Sequence, residues 1–264
     1  MNALMAMTED TDQKLREYEE LLIRRDQLYK DAASYQIAYT QEFGDLILEN
    51  FKLKLVCIKK KKTISYCRRR LNRGLAINTD RMNAEIEAEM LLYHEQLKDL
   101  IGETDAAKNA KRSDEFKVRL AKKIYRRLAK RLHPDINKKT EEHEMLRELW
   151  DRIVSAYRRN DPDELDNLEV LVKRALEQLG EEGFAIDDTD LDERIERIER
   201  RINEILMTEP YTYGEILASK EQIKAIRNSL EEEKRDYETY LETLQKTLDD
   251  ILSGEGVKLT WQMN

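Results

Sequence analysis

The segment Lys122-Lys-Ile-Tyr-Arg-Arg-Leu-Ala-Lys-Arg-Leu-His-Pro-Asp135, with the later Trp150-Asp-Arg-Ile-Val-Ser-Ala-Tyr157, reads as two helices joined by a loop. In the first, Leu120, Ala121, Ile124, Tyr125, Leu128 and Leu132 recur three and four apart, which makes one apolar face. Arg119, Lys122, Lys123, Arg126, Arg127, Lys130 and Arg131 cover the remaining surface. Pro134 has no backbone donor and drives His133 out of the helical region, so the helix ends at or just before His133. Thr140, followed by Glu141 and Glu142, predicts a new N-cap with acids in the first turn. The next helix gathers Leu146, Leu149, Trp150, Ile153, Ala156 and Tyr157 on one face. Two such faces pack antiparallel and hold His133-Pro134-Asp135 at an exposed tip.

Outward from this pair the chain reads as all-α. Charged residues make up 39% of it and aromatics only 7%, a mixture suited to long solvent-laced helices and not to a β core. From about residue 11 to 73 there is no proline, and Leu15, Leu22, Tyr29, Phe43, Leu46 and Leu53 follow near-heptad spacing. Such a rod spans about 90 Å, with Gly44 marking a kink or a break. After Gly74, Asn78 or Thr79 caps a helix with the stripe Met82, Ile86, Met90, Tyr93, Leu97 and Leu100, ending at Gly102. Residues 103–112 read as a polar linker and Ser113 as the cap of the basic helix. Further on, Asp161, Pro162 and Glu164 open a helix carrying Leu165, Leu168, Leu171, Val172, Ala175 and Leu179, which Gly180 stops.

Residues 181–189, with Gly183, read as a polar hinge. Asp190 and Glu193 open a helix carrying Leu191, Ile195, Ile198, Ile202 and Ile205. Beyond Pro210 and Gly214, with Thr212 and Glu215 as a capping box, Ile216, Ile223, Leu230, Tyr237, Leu244 and Ile251 recur every seven residues, a coiled-coil signature. The resulting division is a long helical hairpin over 1–102, the inserted helical pair over 103–180, and a coiled-coil hairpin over 181–264 that packs on the N-terminal helices. Gly254 and Gly256 end regular structure, and Trp261 lies in the tail.

The chemistry of catalysis is missing from the sequence. There is no phosphate-cradling glycine loop, no metal-ligand spacing and no nucleophile paired with a base, so the expectation is a non-enzyme without cofactor or metal. His94 and His143 stand isolated among charges. Cys57 and Cys67 are ten apart, about 15 Å on one helix, too far for a mutual disulfide; reduced thiols and a cytoplasmic location are expected. The N-terminus has neither a basic start nor a long apolar run, so no signal peptide or membrane span is expected. The net charge of −8 disfavours a general nucleic-acid binder, yet Lys59-Lys-Lys-Lys62 with Arg68-Arg-Arg70, Arg73 and the intervening Tyr66 form a basic run. That run reads either as an anionic contact or as a solvated face paired with acidic helices.

The paired helices resemble the J domain of DnaJ-type co-chaperones. The Tyr125-Arg-Arg-Leu-Ala129 run followed by His133, Pro134 and Asp135 matches the end of that family's second helix. Trp150, Ile153, Ala156 and Tyr157 match its third. The likeness covers at most residues 90–160. Leu132 stands where the family has an aromatic, and no Gly/Phe-rich linker or cysteine-repeat zinc region follows. The resemblance implies docking on an Hsp70 (DnaK-like) partner through His133, Pro134 and Asp135, with Asn137 just after the loop. It also implies that Lys122, Arg126, Arg127, Lys130 and Arg131 meet an acidic groove on that partner, whose ATPase is stimulated.

Other readings remain open beside this one. The first is a coiled-coil scaffold, a homo-oligomer included, with a J-like fold and no chaperone coupling. In it, His133 caps carbonyls and Asp135 caps the following loop. The second is nucleic-acid binding through the basic helices.

Overall fold

The computed structural model describes residues 2–110, 114–179 and 191–253. The fold is all-α: among the described residues there are nine helices and no strand. In chain order they are α1 (Asn2–Leu71), α2 (Thr79–Asn109), α3 (Glu115–Leu132), α4 (Lys139–Glu142), α5 (Glu144–Arg158), α6 (Pro162–Gln178), α7 (Leu191–Met207), α8 (Tyr213–Ala218) and α9 (Lys220–Ser253). Gly180, the hinge over 181–189 with Gly183, Asp190, Ser113, Gly254, Gly256 and Trp261, all singled out in the sequence, lie outside the described residues.

Contacts divide the chain into two compact units, Met1–Ser34 with Lys111–Thr212, and Tyr35–Ala110 with Tyr213–Asn264. The sequence boundaries at 102/103 and 180/181 follow expected helix ends; the units follow packing, and each draws on part of α1.

In the first unit, α3, α5 and α6 share a core of Ala121, Ile124, Tyr125, Leu128, Leu132, Leu146, Trp150, Ile153, Leu165, Leu168 and Val172. Tyr125 stacks on Tyr157 at 3.9 Å between ring centroids. From α1, Ile23 enters this core. The other side of α1 buries Tyr18, Leu22 and Leu28 against Leu191, Ile195, Ile198, Ile202 and Ile205 of α7. Local chemistry fixes the helix ends. Asp161 Oδ1 accepts the Glu164 N–H at 3.1 Å, with Pro162 in the first turn of α6. Asp114 caps α3 by accepting from Phe116 N–H. Thr140 does not cap: it is buried inside the short α4, and α5 begins only after His143.

In the second unit, residues 35–71 of α1 pack with α2 and α9. Leu55, Ile64 and Tyr66 meet Met82, Ile86 and Met90 of α2 and Leu244, Leu248 and Leu252 of α9. Asn50 donates to the Leu230 carbonyl at 2.8 Å, a polar pin within this apolar seam. Gly44 does not break α1; it lets Thr104 approach, since a Cβ there would lie 3.3 Å from the Thr104 methyl. Likewise α2 does not stop at Gly102, because Thr104 and Ala107 beyond it are buried and outweigh the local cost of glycine. The expected linker over 103–112 is therefore helical as far as Asn109. At the end of α1, Gly74 adopts φ +62°, and the Leu75 N–H closes on the Arg70 carbonyl. The heptad stretch is split at Ser219, whose Oγ accepts the Gln222 N–H and starts α9.

Candidate functional site

The corner between α3 and α4 forms as its sequence dictates. The His133 N–H closes the last turn of α3 on the Ala129 carbonyl at 2.8 Å, and Pro134 sends the chain out of the helix. The His133 carbonyl then accepts the N–H groups of Ile136 and Asn137, both at 2.8 Å. Asn137 is buried; its amide donates to the Arg131 carbonyl at 2.8 Å and its oxygen accepts the Lys139 N–H. It stitches the loop to the end of α3, a structural task.

The imidazole does not face solvent. His133 is 4% exposed, edge-on to Trp150 at 5.0 Å, while the Asp135 side chain is 44% exposed. This corrects the expectation of an open tip bearing both groups. The physical reason is α1: its Arg25 and Asp26 lie across the ring. The Asp135 N–H donates to His133 Nδ1 at 3.1 Å, and Arg25 Nη2 lies 3.2 Å from His133 Nε2. The same Nε2 faces Asp26 Oδ2 at 3.5 Å. The bland expectation of His133 capping carbonyls is also replaced, since the ring caps a backbone N–H.

Asp26 is the hub. Its carboxylate accepts the Tyr125 hydroxyl at 2.7 Å and Arg25 Nη2 at 3.0 Å. Burial pushes its pKa up, but the His133 and Tyr125 hydrogen bonds and the Arg25 charge outweigh burial and hold it below the usual carboxylate range. Arg25 also reaches Asp135 Oδ2 at 3.4 Å. Beside Asp135 opens a cleft of about 430 Å³, lined by Tyr18, Arg25, Arg194 and Arg197 among others.

The cationic face of α3 splits. Arg126 pairs with Glu20, and Lys130 lies 3.2 Å from Glu19 and 3.4 Å from Glu20, all on α1. Arg127 turns to α6, where it forms a two-pronged pair with Glu169 at 2.9 and 2.6 Å. Lys122 and Arg131 are exposed. Further along α1, Gln27 accepts the Tyr157 hydroxyl. Lys30 is buried with its ammonium 3.6 Å over the Tyr157 ring and no hydrogen-bond partner. Burial, aided by the Lys122 charge and opposed by Asp31, pulls its pKa down to about 8.

So the structure brings His133, Asp135, Arg126 and Lys130 together under one stretch of α1, and leaves Arg127 and Asn137 in other contacts. Sequence reasoning missed Glu19, Glu20, Arg25, Asp26 and Lys30. The only signal was the triplet Leu21-Leu22-Ile23, too wide for a single seam, which marks a helix buried on two sides.

Three cations of the basic run of the second unit pair with acids of α2: Lys59 with Glu87, Lys62 with Glu89 and Arg69 with Glu85. Tyr66 is buried, so it offers no stacking surface between those cations. Both cysteines are free and buried. Among the described residues no cluster of His, Cys, Asp or Glu is arranged to hold a metal, and no helix is long and apolar enough to cross a membrane. Comparison with protein-family models, with curated proteins and with solved structures returned no match.

Proposed function

We propose that the chain is a J-like co-chaperone that docks on an Hsp70-type ATPase in the cytoplasm and stimulates it without hydrolysing anything itself. The observation that carries this reading is the corner: a cationic helix stops at His133-Pro134-Asp135, and its antiparallel neighbour is locked to it through the Tyr125–Tyr157 stack. The matching residues on both helices thus share one packed module, with Asp135 still reaching solvent. The partner does the chemistry; this chain biases its conformational equilibrium. Attraction between α3 and an acidic groove speeds encounter and weakens with salt.

The test is ATP turnover by the host's own Hsp70 with the full chain, titrated to high concentration, against His133→Gln. A high concentration is needed because any coverage of the face lowers apparent affinity in proportion to the open fraction. Turnover that never rises, or rises equally with His133→Gln, refutes the reading.

The burial of His133 favours a second reading, a helical scaffold in which the corner is a joint. That reading expects His133→Gln to lower stability and leave Hsp70 turnover untouched, and Leu230→Pro to abolish assembly by breaking α9.

A further inference from the structure

The stretch of α1 over the corner carries the charge pattern expected of a partner's groove. Glu19 and Glu20 meet Lys130 and Arg126, and Asp26 meets His133. We infer that residues 19–30 of α1 act as an intramolecular occupant of the docking face, so that an acidic partner surface and α1 compete for the same side chains. This inference rests on the co-chaperone reading and adds its regulation.

Three observations support competition over permanent burial. The contacts of α1 with Arg126 and Lys130 are solvent-edged ion pairs, with those two side chains 44% and 41% exposed. The Arg25–Asp135 contact is long, 3.4 Å, and borders the open cleft, which gives a competitor a point of entry. Lys30 enters the interface as a buried cation with no hydrogen bond, a feature that leaves the closed arrangement less favourable than an apolar contact of the same size.

Two variants of the full chain test this. Glu19→Lys with Glu20→Lys reverses the attraction on the α1 side without touching the docking residues. Glu20→Cys with Arg126→Cys, bridged by a reducible thiol cross-linker, ties α1 to α3 across the face itself at residues that now pair, while the native cysteines stay buried and the same chain after reduction is the control. The charge reversal is expected to raise Hsp70 stimulation at a fixed low concentration by about tenfold. The cross-link is expected to lower it by a similar factor, with recovery on reduction. Equal stimulation by wild type, cross-linked and charge-reversed chains overturns the inference and leaves the co-chaperone reading standing. If hydrogen exchange shows α1 loosened in the charge-reversed chain, yet no chain stimulates Hsp70, the co-chaperone reading itself falls and takes the inference with it. Should the charge-reversed chain misfold, the reducible cross-link alone decides.

Discussion

Replacing Lys30 by Met should stabilise the first unit. The ammonium sits 3.6 Å over Tyr157, buried and without a hydrogen bond. The drop from the ordinary lysine value of 10.5 to about 8 corresponds to roughly 3 kcal/mol of penalty on the charged form. The contact with the Tyr157 ring returns about 1–2 kcal/mol. Methionine matches the length of the lysine stem and keeps a favourable sulfur–ring contact. The net gain expected at pH 7 is therefore about 1–2 kcal/mol. The sign of the pH dependence follows from the depressed value: the folded state holds this proton less tightly than the unfolded chain. Wild-type stability then rises with pH between about 8 and 10.5 as the penalty is lost. Buried Tyr125 and Tyr157, whose values are raised, oppose this from about pH 10 upward, so the clean window is pH 8 to 10. Urea unfolding followed by tryptophan fluorescence at pH 7 and 9.5 measures the effect, with Trp150 reporting on this core. Lys30→Met should lead at pH 7, and its lead should shrink at pH 9.5. A variant less stable than wild type at pH 7, or a difference that ignores pH, refutes the argument.

Three further outcomes are expected. Asp26→Asn should destabilise the first unit by about 1–3 kcal/mol at pH 7 in the same unfolding assay, because the carboxylate is replaced by a neutral amide beneath Arg25. Because the Asp26 pKa is depressed, its contribution is present above about pH 4 and is lost as pH falls below, so acid unfolding of the variant should begin from a lower plateau. Thr140→Val should gain about 1 kcal/mol, since the Thr140 hydroxyl is fully buried with no hydrogen-bond partner; thermal melting reads this directly. The full chain should show no measurable DNA or RNA binding in a salt titration near physiological ionic strength, because Lys59, Lys62 and Arg69 already face Glu87, Glu89 and Glu85.

The legible parts of this fold were those set by local chemistry. Pro134 ends α3, Asp161 caps α6, Asn78 caps α2, and the isoleucine stripe of α7 is buried as its spacing requires. Glycine misled where tertiary contact decided: Gly44 and Gly102 look like breaks, but both are carried inside helices whose neighbours reward continuity. The candidate site was half legible. His133 and Asp135 stand out in any reading, whereas Asp26 looks like one more surface acid on a charged helix. Which face of α1 meets which helix depends on residues about a hundred positions away, and helical periodicity carries no record of that choice.

The packing of α1 is lopsided, and the asymmetry has a consequence. Toward α7 it buries Tyr18, Leu22 and Leu28 in an apolar seam. Toward α3 it offers exposed ion pairs, each contributing about 0–1 kcal/mol, the Asp26 hub, a penalised lysine, and Ile23 as its apolar anchor in the α3–α5–α6 core. The weak joint of the first unit is therefore the polar one, and α1 separates from α3 more readily than from α7. Ile23→Ala should remove about 2–5 kcal/mol from the closed arrangement while leaving the Leu128, Ile153 and Leu168 core filled. Hydrogen exchange should then accelerate over residues 18–30 and hold steady over residues 146–157. Equal acceleration in both stretches would mean that α1 and the helical hairpin open as one cooperative block, and that the polar face is no seam at all.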